Sequence, residues 1–428
     1  ATTLKGVSVV TLPGDVADEE ANVPTPRFVK TAEPAVVPPP EVVQQFADLV
    51  NSAGKVAIFA GAGVKGAHDE VIELARILSA PVGHSLRGKE YIQHNNPFDV
   101  GMTGLLGYGA AAEGMQDADL LIMLGTDFPY NQFLPGVTTV QVDRAGEVLG
   151  RRTGVDLPIH GDVLETVRAL IPLVKPKKDA FLKAQLKRHE KLMTKSVGAY
   201  TRKVEKMKPI HPEYAASILD DLAARDAIFT ADTGMCNVWT ARYLRPMGTR
   251  RLIGSFLHGS MANALPQAIG AQAAFPQRQV ISVSGDGGLS MMLGELVTVA
   301  MYQLPVKIVV FNNSSLGMVK LEMLVDGLPD YAVDVPATNY AAVAEGLGIK
   351  AVRITDPRKL ASGYKEAFDH RGPALVDIVT DPKALSLPPE VTSQQVFGFA
   401  TAMSKIVLNR GAGEAVAMAK SNIRNIPR

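Results

Sequence analysis

Short apolar runs recur along the chain, each closed by a polar or glycine turn and followed by a stretch whose apolar residues repeat every three or four positions. Val56 to Ala60, Leu120 to Leu124 and Val137 to Val142 read as buried strands, and Glu70 to Leu78 reads as a helix. That alternation predicts an α/β domain built on a parallel sheet. The pattern returns further on, with strands expected at Ala227 to Thr230, Val280 to Ser284, Val306 to Phe311 and Ala374 to Val379. Lys175 to Lys208 is lysine-rich with a helical pattern, which suits a solvated connector. The expectation is an α/β chain with two parallel-sheet domains, residues 41–174 and 209–385. A helical connector (175–208) joins them and a C-terminal helical tail (386–428) follows. Near the start, Val7 to Leu12 is a β-branched run, and the proline-rich residues 19–40 read as an extended linker.

Two of these strand ends carry chemistry. Val280-Ile281-Ser282-Val283-Ser284 runs into Gly285-Asp286-Gly287-Gly288, and Asn313 follows 27 positions after Asp286 at the end of the next apolar run. The intervening Ser290 to Gln303 is expected to be one helix, with Met291, Leu293, Leu296, Val297 and Met301 as its apolar positions. A βαβ unit with a right-handed crossover brings both polar ends to the carboxyl edge of one sheet, where ligands of such sheets bind. The residue types fit a magnesium diphosphate. The glycines admit phosphates close to the backbone, and the helix that follows presents amides to anions. Asp286, the Asn313 side-chain oxygen and the Ser315 carbonyl are hard oxygen ligands, with phosphate and water to complete an octahedron. A plain βαβ turn with a capping Asp accounts for Gly-Asp-Gly alone; the Asn-Asn pair at this distance favours the diphosphate.

This pairing resembles the signature of the thiamine-diphosphate enzymes, and the resemblance extends along most of the chain. Leu86-Arg87-Gly88-Lys89-Glu90, Thr126-Asp127-Phe128-Pro129-Tyr130, Asp232-Thr233-Gly234, Ser255-Phe256-Leu257-His258-Gly259-Ser260-Met261 and Leu304-Pro305-Val306-Lys307 are similar to the quinone-linked pyruvate dehydrogenases of the pyruvate oxidase type. The resemblance implies oxidative decarboxylation of pyruvate to acetate and CO2, with thiamine diphosphate, Mg2+ and FAD as cofactors and a membrane quinone as electron acceptor. A non-redox carboligase of acetolactate-synthase type is the alternative, and an inactive fragment or subunit needing a partner domain is another.

By the same resemblance, residues 41–174 form a Rossmann-type FAD-binding domain and 209–385 bind thiamine diphosphate. Gly259, Ser260, Met261, Asp286, Gly287, Gly288, Asn313, Ser314, Ser315, Leu316, Gly317, Met318 and Val319 are the implied thiamine-diphosphate contacts. Met261 would wedge the cofactor into a bent shape, and Glu322 is a candidate proton relay beside a plain exposed-glutamate reading. Thr103, Gly104, Leu105, Leu106, Thr126, Asp127, Phe128, Pro129, Tyr130 and Asp143 are the implied FAD contacts. Residues 1–18 would be the remnant of a pyrimidine-binding domain whose glutamate activates the cofactor in the family, so this stretch of chain alone is expected to turn over poorly.

Composition narrows the alternatives. With 44 basic and 43 acidic residues the net charge is +1, which gives no case for a nucleic-acid partner. A single cysteine, Cys236, excludes an internal disulfide and a cysteine-cluster metal site, and suits a reducing cytoplasm. No apolar run approaches the roughly 20 residues that span a bilayer, and no basic segment followed by an apolar core suggests a secretory signal. Gly61-Ala62-Gly63-Val64-Lys65-Gly66 matches a dinucleotide fingerprint, but no acid stands about 20 positions on, as a nicotinamide site requires. In the tail, Val396, Phe397, Phe399, Ala400, Met403, Ile406 and Val407 form an apolar band along Gln394 to Leu408. The band suits either an interfacial helix or one packed on the protein itself. The resemblance implies a homotetramer, cytoplasmic and in reversible contact with the inner face of the cell membrane.

Overall fold

Strands that read as unbroken apolar runs need cover on both faces, and two sheets receive it. The computed structural model describes residues 7–20, 34–385, 393–410, 412–422 and 424. The first sheet contains β1 (Val56–Ala60), β2 (Val82–His84), β3 (Asp99–Met102), β4 (Tyr108–Gly109), β5 (Leu120–Leu124), β6 (Thr138–Asp143) and β7 (Leu157–His160). Its order is β4-β3-β2-β1-β5-β6-β7, parallel except where β4 pairs with β3. The second sheet contains β8 (Ile228–Ala231), β9 (Arg251–Gly254), β10 (Val280–Gly285), β11 (Lys307–Asn312), β12 (Lys350–Ile354) and β13 (Ala374–Val379). Its order is β12-β13-β11-β10-β8-β9, and every pairing is parallel. The protein is thus α/β with two mainly parallel sheets and flanking helices.

Both sheets have a topological switch. The chain leaves β8 for β9 on one side and leaves β10 for β11 on the other, so a crevice opens beyond the carboxyl ends of β8 and β10. In the first sheet the same reversal lies between β1 and β5. Helices Pro212–Leu222, Met235–Tyr243 and Leu360–Asp369 cover one face of the second sheet, packing on Phe229, Ile281, Val283 and Val309. Helices Ala264–Ala274, Glu295–Met301 and Tyr340–Gly346 cover the other, against Val280, Ile308, Val310 and Leu375.

Three expectations change. The single helix over Ser290 to Gln303 is two short ones, Asp286–Met291 and Glu295–Met301, broken at Met292–Gly294. Leu296 and Val299, with Leu293 and Ala300 in part, pack towards the sheet; Met291, Val297 and Met301 point outward and are exposed. The run Val7 to Leu12 joins neither sheet and stands exposed, with no strand beside it among the described residues. The connector is not merely solvated: Leu182, Gln185, Val197 and Tyr200 are buried, and Gln185 donates to Asp117 at 2.9 Å. Most of the linker, residues 21–33, lies outside the described residues, as does 386–392 at the start of the tail.

Candidate functional site

Three strand ends meet at the switch point of the second sheet. β8 runs into Asp232-Thr233-Gly234, β10 into Asp286-Gly287-Gly288, and β11 into Asn313-Ser314-Ser315. The register of β10 on β11 sets Gly285 opposite Phe311, so Asp286 lies beside the turn after Asn312. Its carboxylate closes that turn: Oδ2 accepts from the Ser314 amide at 2.5 Å and Oδ1 from the Gly287 amide at 2.8 Å. Ser314 holds φ +53°, and Asn313 Oδ1 accepts from the Ser315 amide at 3.0 Å. Leu316 follows, then the helix Gly317–Val325 carrying Gly317, Met318 and Val319.

The fourth wall is the loop after β9. Gly259 and Ser260 are exposed, and the Ser260 amide donates to Ser255 Oγ at 3.1 Å. Met261 turns inward, its methyl 3.6 Å from where a side chain on Gly287 would begin. A Cβ on Gly287 would also stand 2.7 Å from Leu316 Cδ2, and one on Gly288 would run into the buried Asp232 carboxylate. Only glycine leaves this space open. The resulting cavity, of about 70 Å³, is lined by Thr233, Met235, Met261, Asp286, Asn313 and Leu316 among others.

The electrostatics fit a diphosphate with a divalent cation. Asp286 is 2% exposed and, among the described residues, makes no ion pair with a lysine or arginine. Burial pushes its carboxyl up, against the amides that hold it ionised. A buried carboxylate of this kind is costly unless a cation neutralises it. Asp232 is 1% exposed and is also pushed up by burial; its Oδ1 accepts from the Ala264 amide at 2.9 Å, while Oδ2 has no partner. The Ser315 hydroxyl is likewise buried without a partner. No group of three or more His, Cys, Asp or Glu fit to hold a metal occurs among the described residues. Asp286, Asn313 and the Ser315 carbonyl are the ligands the sequence offers for a cation here, with phosphate oxygens to complete the set.

Comparison with known proteins places this geometry. Residues 232–378 match the thiamine pyrophosphate enzyme, C-terminal TPP binding domain, and 43–170 match the thiamine pyrophosphate enzyme, central domain. The chain belongs to the thiamine pyrophosphate enzyme family. It is 32% identical to the "Putative thiamine pyrophosphate-containing protein YdaP" of Bacillus subtilis, across 97% of this chain and 72% of that protein. It is 30% identical to the "Probable acetolactate synthase large subunit" of Methanococcus aeolicus (89% and 68%), and 30% identical to the acetolactate synthase large subunit of Porphyra purpurea (77% and 58%). The protein is a thiamine-diphosphate-dependent enzyme; these relatives do not single out the pyruvate oxidase type.

Not every expected residue reaches the cavity. Glu322 lies on the exposed face of its helix, and neither it nor Gly259, Ser260 or Ser314 lines the cavity. Residues without an assigned role in the sequence do line it: Cys236, the sole tryptophan Trp239, Thr380 and Asp381. Asp232 ends a strand as Asp286 and Asn313 do, and that shared pattern was its available signal.

In the central domain, loops 103–106 and 126–130 meet where Gly104 (φ +100°) admits the Phe128 ring. Thr103 is buried with its hydroxyl unpartnered, Thr126 and Phe128 are buried, and Leu105 and Tyr130 are partly exposed. Leu106 accepts from Arg242 Nε at 3.2 Å, and Pro129 sits between the Phe128 and Tyr130 rings in sequence. Asp127 is occupied by Arg151 and Arg152, while Asp143 accepts from the Ala145 amide at 2.9 Å and is pushed up by burial.

Proposed function

We propose that this enzyme decarboxylates pyruvate and joins the two-carbon unit to a second 2-oxo acid, as in acetolactate synthesis. The observation that carries the cofactor part of the reading is the buried Asp286 carboxylate held against the Asn313–Ser315 turn. The 30% identity to proteins named acetolactate synthase supports the carboligase form. When bound, thiamine diphosphate supplies an electron sink for loss of the carboxylate. The chain's own residues do the placing. Asp286, Asn313 and Ser315 would hold Mg2+ and the diphosphate, and Gly287 and Gly288 keep the space beside them open. Met261 and Leu316 give the cavity an apolar wall that excludes water.

Oxidation to acetate, with FAD in the central domain and electrons passing to a membrane quinone, is the second reading. The stretches Leu86 to Glu90 and Thr126 to Tyr130, which resemble quinone-linked enzymes, favour it. In that reading Thr103, Thr126 and Asp143 hold the flavin. Assembly into a homo-oligomer and reversible membrane contact through the tail belong to this reading too. No helix among the described residues is long and apolar enough to cross a membrane.

Incubating the purified protein with pyruvate, thiamine diphosphate and Mg2+ separates the two readings. Acetolactate without dye reduction supports the carboligase; acetate with dye reduction and a bleached flavin band supports oxidation. Product from another 2-oxo acid with none from pyruvate would overturn the pyruvate assignment. For the membrane, flotation with liposomes that is unchanged by deletion after Pro389 would remove the tail's role.

A further inference from the structure

A buried acid away from the cavity organises the cation site. Asp377 lies in β13 with no exposure, yet its two oxygens serve three elements. Oδ1 accepts from Asn312 Nδ2 at 2.9 Å, and Oδ2 accepts from the Tyr340 amide at 3.1 Å and from Arg353. Asn312 Nδ2 and Arg353 Nη1 both also donate to the Thr338 carbonyl, at 2.9 and 3.2 Å. Asp377 therefore anchors one end of the segment 333–340.

The rest of that segment grips the site at two points. The Val333 carbonyl accepts from the Leu316 amide at 2.7 Å, and the Val335 amide donates to the Ser314 carbonyl at 3.0 Å. From the other side, the Tyr340 hydroxyl donates to the Asp286 carbonyl at 3.0 Å. That hydroxyl has one proton, so the Ser290 hydroxyl 2.7 Å away must donate to it. One strap thus holds both the Asp286 strand end and the Asn313–Ser315 turn.

We propose that Asp377 and Tyr340 are positioning residues for the cation that joins the diphosphate to this chain, setting the spacing of Asp286 and Asn313. The inference rests on the cation reading of that site. Outer partners of metal ligands matter to affinity by roughly 10- to 100-fold. Tyr340→Phe removes one hydroxyl without changing the ring's packing, and Asp377→Asn puts an amide donor against the amide and guanidinium that Asp377 accepts from.

The test is Mn2+ binding to the protein, followed by electron paramagnetic resonance with thiamine diphosphate present, alongside thermal midpoints without metal. Tyr340→Phe should weaken Mn2+ binding several-fold, and Asp377→Asn about tenfold or more, with the Tyr340→Phe midpoint close to the parent's. Binding within twofold of the parent in both variants would overturn the positioning role while leaving the cation site standing. A parent that binds no Mn2+ with thiamine diphosphate would overturn the cation site, and the inference with it.

Discussion

Gly288→Ala probes how tightly the site is built. A Cβ there would overlap the Asp232 carboxylate, lying 3.1 Å from Cγ and 3.6 Å from the Ala262 amide nitrogen. Asp232 is not a loose side-chain end: it is buried and bound to the Ala264 amide. Relief requires either a backbone shift, costing roughly 1–3 kcal/mol as overpacking, or rotation of Asp232. Rotation would leave the Ala264 amide unpaired, at a cost of about 1–3 kcal/mol. By either route the expected loss is roughly 1–3 kcal/mol in urea denaturation, together with weaker thiamine diphosphate binding. Gly270→Ala is the control: it is helical and exposed, and nothing lies within 4 Å of its Cβ. It should be neutral or stabilise by up to about 1 kcal/mol. If Gly288→Ala lost less than about 1 kcal/mol and bound thiamine diphosphate like the parent, the glycine would not be required by this packing.

Other outcomes follow from the same structure. Burial lowers both His84 and His211 to about 4, below the ordinary histidine value near 6.5. The unfolded chain thus binds more protons between those values, so stability is fully present above about pH 6.5 and falls towards pH 4, by up to roughly 3 kcal/mol for each histidine. A urea midpoint flat across that range would contradict this, and His84→Gln should flatten the profile in part. Met261→Ala should lower turnover of pyruvate more than it lowers thermal stability, because Met261 is only half-buried beside Gly287; equal losses would point to packing alone. Ile406 is buried against Leu321, Leu324 and Met418, so Ile406→Ala should cost roughly 2–5 kcal/mol locally. Faster cleavage in limited proteolysis, confined to the C-terminal helices, would report it.

The sequence revealed the site's first layer because its signals are local. Apolar runs ending in Gly-Asp-Gly and Asn-Asn announce strand ends, and the predicted β1, β5, β10 and β13 agree with the structure to within a residue. What surrounds that layer depends on strand order, which no local pattern encodes. Asp377 looks like an anomaly inside an apolar strand until β13 is seen beside β11, and Tyr340 looks like an ordinary helix start. The tail band illustrates the same limit. Both readings of it were open, and the structure packs Ala402 and Ile406 inward while leaving Phe397 and Leu408 exposed; Val396 falls where side chains are not described. Helix breaks were equally illegible, because Met291, Val297 and Met301 satisfy the periodicity without facing a core.

The most direct test titrates thiamine diphosphate into the protein while following Trp239, the sole tryptophan, which is buried and lines the cavity. Parent and Asp286→Ala are compared with Mg2+ and with excess chelator. The account predicts saturable quenching in the parent that requires Mg2+ and is lost in Asp286→Ala. Quenching that survives either the chelator or the substitution would contradict the assignment of Asp286 as the cation's anchor.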